Sequence, residues 1–154
     1  MLQMGVNQSA FPAKGKSQTW RVVVFCLGLV TGLGATEPKT LLFFGDSLTA
    51  GYGLDPDEAF PALVQQKLDA SGLAWRVVNA GLSGETTAGG LRRLDWILRQ
   101  PVDIFVIELG GNDGLRGIDP ETSRSNLESM IRRIRERYPA IKIVLSGMQM
   151  PTNM

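Results

Sequence analysis

Three short segments of the sequence carry residue types that together suit acyl transfer. The segment GDSLTAG contains Ser47, and its glycines permit a sharp turn that leaves the serine hydroxyl exposed. The segment NAGLSGET contains Gly81, where the missing side chain lets a backbone N–H approach a ligand. The segment GGND contains Asn112, whose side-chain amide can donate a hydrogen bond. Acyl transfer requires a nucleophilic hydroxyl that forms a tetrahedral intermediate and hydrogen-bond donors that stabilise the oxyanion of this intermediate.

Each of these segments, taken alone, is also typical of an ordinary connection. A capping serine in a turn explains the first, and Gly/Ser/Thr loops commonly join strands to helices. The combination is more specific, because each segment directly follows a predicted strand. The carboxyl ends of parallel strands meet at one edge of a sheet, where ligands collect. We therefore expect Ser47, Gly81 and Asn112 to converge on that edge.

Four short apolar runs supply the strands. They are rich in Ile, Val, Leu and Phe, as strands buried on both faces of a parallel sheet usually are. The predicted strands are Thr40–Phe44, Trp75–Asn79, Ile104–Leu109 and Ile141–Leu145. Helical patterns lie between them, so the alternation predicts a doubly wound α/β sandwich.

Three helices are predicted from start signals and from apolar residues at helical spacing. Pro61 fits the first position of one helix, Thr86 or Thr87 caps the next, and Asp119 caps the last. The predicted inner faces are Leu63, Val64 and Leu68, then Leu91, Leu94 and Leu98, then Leu127, Met130, Ile131, Ile134 and Tyr138.

The three segments resemble the conserved blocks of the SGNH hydrolases, also called GDSL esterases and lipases. The resemblance runs from about Thr40 to the chain end, and the blocks follow the family order. The fuller strings are most similar to the bacterial arylesterase and thioesterase/lysophospholipase branch. This resemblance implies a flavodoxin-like three-layer α/β sandwich with a parallel sheet. It also implies a small acyl-ester or thioester substrate, with no metal and no organic cofactor.

The resemblance assigns roles to five residues. Ser47 matches the nucleophile that is acylated. The Ser47 N–H, the Gly81 N–H and the Asn112 side chain match the oxyanion hole. Asp46 and Asp113 match positions that accept hydrogen bonds and brace their loops, and neither matches the acid of the catalytic triad.

Histidine is absent from the sequence, which removes the commonest catalytic base and the commonest nitrogen ligand for zinc. The family carries its acid and base in a late D-x-x-H block, and no such block precedes Met154. We therefore expect a final strand and helix, about 40 residues at usual element lengths, to be lacking, and esterase turnover to be weak.

Two alternatives to an active hydrolase remain open. One is a truncated, inactive relative that still binds acyl groups. The other is a flavodoxin-like module that holds a cofactor or phosphate. The sequence disfavours this module, because it has no Gly-x-x-x-x-Gly-Lys-Ser/Thr string. Carboxylates at Asp46, Glu85 and Asp113 would also repel phosphate.

The first part of the chain is typical of a targeting segment. Cationic residues precede the short apolar run Val22–Val30, and small residues follow it. These cations are Lys14, Lys16 and Arg21. Residues 1–35 are predicted to be a signal peptide or an N-terminal anchor, and residues 36–154 the hydrolase domain. The apolar run is shorter than the ~20 residues of a membrane span, so we expect a periplasmic or secreted protein without a stable span after cleavage.

Composition excludes several other classes of protein. Sixteen Lys and Arg against fifteen Asp and Glu give a net charge of +1, which provides no basic field for nucleic acid. The single cysteine cannot form an internal disulfide. An apolar fraction of 44% in 154 residues is enough for one well-packed core.

Overall fold

The short apolar runs form four strands close to their predicted bounds. The computed structural model describes residues 37–147. Its strands are β1 Lys39–Gly45, β2 Trp75–Gly81, β3 Ile104–Glu108 and β4 Lys142–Leu145. All neighbouring strands are parallel and the order across the sheet is β2-β1-β3-β4. The predicted parallel α/β sheet is confirmed.

The strand order creates a switch point at the end of β1. The chain runs from β1 outward to β2 and then returns past β1 to form β3 on its other side. Gly45 at the end of β1 is in register with Gly81 on β2 and with Glu108 on β3. The loops that follow β2 and β3 start on opposite sides of β1 and diverge, so a crevice opens between them. Open α/β sheets bind their ligands in such a crevice.

Within residues 37–147, five helices connect and cover the strands. They are α1 Ser47–Ala50, α2 Phe60–Ala70, α3 Thr87–Ile97, α4 Gly111–Leu115 and α5 Pro120–Arg137. The three longer helices confirm the sequence prediction. The two shorter ones correct it, because the sequence predicted turns there. A helix of four or five residues has too few turns to display an apolar period, so only local capping reveals it.

The core lies between the sheet and the helices α3 and α5. Its buried apolar side chains are Leu42, Phe44, Leu94, Ile97, Leu98, Val102, Phe105, Ile107, Leu109, Met130 and Ile134. Alternate residues of a strand point to opposite faces, so Phe43 faces the other side of the sheet. There it contacts Phe60 of α2 edge to face, with ring centroids 5.1 Å apart. The helices therefore occupy both faces, which is the predicted three-layer arrangement.

Details of two helices differ from the prediction. Pro61 is the second residue of α2, and Leu63 is 43% exposed instead of facing inward. Pro61, Val64 and Leu68 share a face at spacings of three and four, and Leu63 points about 100° away from Val64. Asp119 occupies the N-cap position of α5 without a side-chain hydrogen bond, and only its backbone carbonyl accepts from the first turn.

Candidate active site

The three segments that the sequence singled out lie at the carboxyl ends of three adjacent strands. Ser47 begins α1 directly after β1, Gly81 ends β2, and Asn112 is in α4 directly after β3. Because β1 lies between β2 and β3, the serine segment is flanked by the other two. The structure brings the predicted residues to one edge of the sheet.

Asp46 organises the turn that presents Ser47. Its Oδ1 accepts a hydrogen bond of 3.0 Å from the Leu48 N–H and so caps the short helix α1. The helix ends at Gly51, whose left-handed backbone (φ 74°) is inexpensive only for glycine. Asp46 is buried, whereas Ser47 is partly exposed. A tight, capped turn therefore presents the serine at the surface of the crevice.

Gly81 lies in direct contact with the serine helix. A Cβ atom built on Gly81 would stand 2.2 Å from the Ala50 backbone nitrogen, so no larger residue fits without movement of α1. The Gly81 N–H donates a 2.9 Å hydrogen bond to Oδ1 of Asn79. An acyl oxyanion at this N–H would share the donor with Asn79 or displace it.

Asn112 bridges the other two segments. Its Nδ2 donates to Oδ2 of Asp46 at 3.1 Å and to the Glu85 carbonyl oxygen at 3.0 Å. These bonds hold the side-chain amide between the serine turn and the loop after β2. The amide faces protein acceptors in this structure, and catalytic hydrogen bonds often form fully only when substrate is present.

Asp113 is fully buried and joins three helices. Its Oδ2 accepts from the Thr87 N–H at 2.8 Å, and its Oδ1 accepts from the hydroxyls of Thr87 at 2.5 Å and Ser123 at 3.0 Å. Thr87 begins α3 and Ser123 lies in α5. Asp113 therefore fixes the position of α4, which carries Asn112.

The sequence reasoning missed an ion pair inside this crevice. Arg93 of α3 donates from Nε to the Glu85 carboxylate at 2.6 Å, and its Nη2 contacts the same oxygen. The Glu85 side chain is 4% exposed and that of Arg93 is 22% exposed. The sequence did contain one sign that this helix packs closely against its neighbours. Two successive glycines, Gly89 and Gly90, lie within the predicted helix, and glycine there usually has a packing reason. A Cβ atom on Gly90 would stand 2.6 Å from Leu109 and 3.1 Å from Phe44.

The sequence reasoning also missed Glu108, which lay within an apolar run. Its Oε2 accepts a 2.7 Å hydrogen bond from the Thr49 hydroxyl, and its Oε1 is buried without a partner among the described residues. Burial raises the pKa of the Glu108 carboxyl above its ordinary value of 4.5. A Cβ on Gly45 would overlap both side chains, so glycine there makes room for this contact. Glu108 ties the serine helix to β3.

An apolar groove lies beside the Asn112 helix. Its volume is about 450 Å³, and its lining includes Gly110, Ile118, Leu127, Ile131 and Leu145. Gly110 immediately precedes α4, so the groove begins next to the segment that carries Asn112.

Residues 37–147 contain neither a cluster of metal-ligand side chains nor a membrane-spanning helix. No group of three or more His, Cys, Asp or Glu side chains in this range is arranged to hold a metal ion. No helix in this range is long and apolar enough to cross a membrane.

The comparisons with known proteins agree with this geometry. Esterase TesA of Pseudomonas aeruginosa is 45% identical over 129 residues, which are 83% of this chain and 63% of that protein. The arylesterase of Vibrio mimicus is 38% identical over 133 residues, which are 86% of this chain and 64% of that protein. This chain thus spans less than two thirds of the length of these relatives.

A solved structure supports the same relationship. The crystal structure of AlinE4, an SGNH-hydrolase family esterase, superposes with a TM-score of 0.72 at 45% identity, covering 77% of this chain and 63% of that chain. The sequence model of the GDSL-like Lipase/Acylhydrolase family matches residues 43–154, which include all three segments of the crevice. The chain therefore belongs to the GDSL-like lipase/acylhydrolase family.

Proposed function

We propose that this protein is a serine ester hydrolase that acts through an acyl-Ser47 intermediate. The observation that carries the proposal is the convergence of Ser47, Gly81 and Asn112 at the ends of three adjacent parallel strands. In the first step the Ser47 oxygen bonds to the acyl carbon, the bond from that carbon to the leaving oxygen or sulfur breaks, and the hydroxyl proton departs with the alcohol or thiol. In the second step water attacks the acyl carbon, the carboxylic acid is released, and the Ser47 oxygen regains a proton from that water.

The proposed oxyanion hole consists of the Ser47 N–H, the Gly81 N–H and the Asn112 side-chain amide. Donors of this kind act on charge that develops in the transition state, so they raise the rate more than they tighten substrate binding. The Asp46 and Asp113 carboxylates serve this arrangement by holding the turns, because each accepts hydrogen bonds from neighbouring segments.

Activation of Ser47 needs a base that the 154 residues do not supply as histidine. Without an imidazole the hydroxyl is weakly nucleophilic, and only the oxyanion hole and substrate binding contribute.

The proposed substrate is a small acyl ester or thioester. The groove beside Asn112 suits a short acyl chain, because most of its surface is apolar. The polar residues that also line it are Ser123, Arg124 and Glu128. The relatives named above are an esterase and an arylesterase, so an aryl ester is the first substrate to test.

The proposed location is the periplasm or the exterior of the cell. The support is the sequence of residues 1–35, a cationic flank followed by a short apolar run and small residues. These residues lie outside the part of the chain that the structure describes.

Labelling with a fluorophosphonate tests the assignment of the nucleophile. We expect a slow adduct on Ser47, located by mass spectrometry of the labelled peptide, and no adduct in Ser47→Ala. Ser83→Ala is the matched control, because Ser83 is an exposed serine in the loop after β2 and should label as the unmodified chain does. An adduct on Ser83 would overturn the assignment.

The rate of labelling tests the role of a histidine base. A version extended by a D-x-x-H segment should react at least ~10³-fold faster, since the general base supplies a large part of the activation. Equally fast labelling of both proteins would show that Ser47 is activated without histidine.

A further inference from the structure

One arginine connects the carboxyl ends of β1 and β2. Arg93 reaches from α3 over these ends, and its Nη2 donates to the Ala80 carbonyl oxygen at 2.8 Å. The same nitrogen lies 3.4 Å from the Gly45 carbonyl oxygen. Its guanidinium carbon lies 4.2 Å from the centre of the Phe44 ring, a cation–π contact. Together with the Glu85 ion pair, these contacts fix the guanidinium in one orientation.

We propose that Arg93 is a positioning residue for the oxyanion hole, which it holds through the Ala80–Gly81 peptide and through Glu85. This inference rests on the proposed function, because it concerns the donors assigned to Gly81 and Asn112.

The first connection runs through a single peptide plane. The Ala80 carbonyl and the Gly81 N–H belong to the same peptide group, which is planar and trans. A charged donor that holds the Ala80 oxygen therefore also fixes the direction of the Gly81 N–H. A hydrogen bond to the carbonyl also polarises the peptide, which strengthens its N–H as a donor. Glycine at position 81 restricts its own backbone little, so the Arg93 contact adds to the restraint that the hydrogen bond to Asn79 provides.

The second connection runs through Glu85. The Arg93 guanidinium holds the Glu85 carboxylate, and the Glu85 backbone carbonyl accepts from Nδ2 of Asn112. The Glu85 N–H also donates to the Leu82 carbonyl at 3.1 Å, which tightens the loop. Loss of the ion pair would leave a buried, unpaired carboxylate and displace this loop. The Asn112 amide would then lose one of its two acceptors.

The glycines of α3 explain why the arginine reaches this position. Glycine within a helix costs roughly 1 kcal/mol relative to alanine, so two in succession need a packing reason. A Cβ on Gly89 would meet the Glu85 side chain at 3.2 Å, and a Cβ on Gly90 would clash with Leu109. Without these side chains α3 packs close against the sheet, and Arg93 extends along Phe44 to the strand ends.

The orientation of the Gly81 N–H is the direct readout. In the 154-residue chain we would measure backbone N–H residual dipolar couplings by NMR for the unmodified protein, Arg93→Met and Arg92→Met. Arg92 is the matched control, because it is an exposed arginine next in sequence on the same helix. We expect Arg93→Met to change the Gly81 coupling beyond the spread of the strand amides, with ~10-fold faster exchange of the Asn112 side-chain amide. Arg92→Met should change neither.

A Gly81 coupling and an Asn112 exchange rate that stay the same in Arg93→Met would overturn the proposal. Arg93→Lys decides the matter if the methionine variant does not fold. Lysine keeps the charge but lacks the planar fork that serves Glu85 and Ala80 together, so it should also change the Gly81 coupling. A lysine variant that matches the unmodified protein at Gly81 would contradict the positioning role.

Labelling of Ser47 separates this inference from the proposed function. With a fluorophosphonate we expect Arg93→Met to label ~10-fold more slowly than the unmodified chain, and Arg92→Met to label at its rate. If the unmodified chain never labels on Ser47, the proposed function fails, and the Gly81 coupling still decides the role of Arg93. If the Gly81 N–H changes orientation in Arg93→Met but the rate of Ser47 labelling stays the same, Arg93 does not position the oxyanion hole.

Discussion

At the scale of single residues, Asn112 does more than its type indicated. Its residue type predicted a donor into the crevice, and the structure shows that both of its contacts are to protein, Asp46 and Glu85. The side chain therefore links the serine turn to the loop after β2. If the proposed function is right, the amide holds this geometry and also donates to the developing oxyanion.

Replacement of Asn112 by alanine tests the catalytic part of this role. In a form of the protein that hydrolyses an aryl ester, we expect kcat to fall roughly 10²–10³-fold with a smaller change in KM, because the amide acts mainly in the transition state. Gln66→Ala is the control, since Gln66 carries an exposed side-chain amide on α2 and donates to the Asp57 carbonyl, away from the crevice. An unchanged kcat in Asn112→Ala would show that Asn112 only holds the turn.

Glu108 is a second residue whose behaviour depends on its surroundings more than on its residue type. A carboxylate in the middle of a sheet edge would normally be solvated, yet this one is 8% exposed and accepts a hydrogen bond from Thr49. Burial penalises its charged form and raises its pKa. Folding therefore favours the protonated form of Glu108 more than the unfolded chain does.

Stability as a function of pH tests this conclusion for Glu108. Above the ordinary value of 4.5 the unfolded chain releases this proton while the native state still holds it. The native state then binds more protons, so the free energy of unfolding falls as pH rises through the interval up to the raised pKa. Glu108→Gln should remove this component, so its stability relative to the unmodified chain should increase with pH. Urea titrations at several pH values measure it.

An exposed glutamate provides the control for this measurement. Glu136→Gln on α5 makes the same substitution at a glutamate that is exposed at the surface. If Glu108→Gln and Glu136→Gln show the same pH dependence, the raised pKa of Glu108 is contradicted.

At the scale of elements, the N-termini of α3 and α5 differ in how they are capped. Thr86 accepts from the Gly89 N–H at 3.2 Å, and Thr87 then bonds Asp113. Asp119 has the better residue type for a cap but makes no side-chain capping bond. Residue type predicted both caps, and the local backbone decided which side chain forms one.

Alanine substitution at both caps measures this difference. Thr86→Ala should lower the free energy of unfolding by about 1 kcal/mol, the usual value for a lost capping bond. Asp119→Ala should lower it by less, because no capping bond is lost there. Thermal or urea unfolding of the two variants provides the measurement. A larger loss in Asp119→Ala than in Thr86→Ala would show that Asp119 caps α5 in solution.

At the scale of the whole molecule, the crevice and the predicted targeting signal lie in different parts of the sequence. Residues 37–147 contain the crevice, and residues 1–35 carry the predicted targeting signal. If that signal is processed, protein from a periplasmic or secreted fraction should begin near residue 36. N-terminal sequencing of that fraction measures the position of cleavage. Intact Met1 in a cytoplasmic pool, with no processed form elsewhere, would contradict the prediction.

The sequence by itself determined the order of the elements and the residues of the crevice. Apolar runs predicted the four strands, and turn-forming segments after three of them predicted that Ser47, Gly81 and Asn112 would meet. This worked because strand burial and glycine-rich turns are local properties of the chain. Gly81 also shows how such a position is constrained, since a side chain there would overlap the backbone of Ala50.

Only the tertiary structure decided which side chains hold that crevice together. Arg93 is eight residues from Glu85 in sequence, and Thr49 is 59 residues from Glu108, so neither pair follows from local spacing. The short helices that begin at Ser47 and Gly111 could not be predicted from apolar periodicity either, because they are too short to show it. In each case the controlling energy is the burial of a polar group that must find its partner in the folded chain, and that partner exists only once the sheet has brought distant segments together.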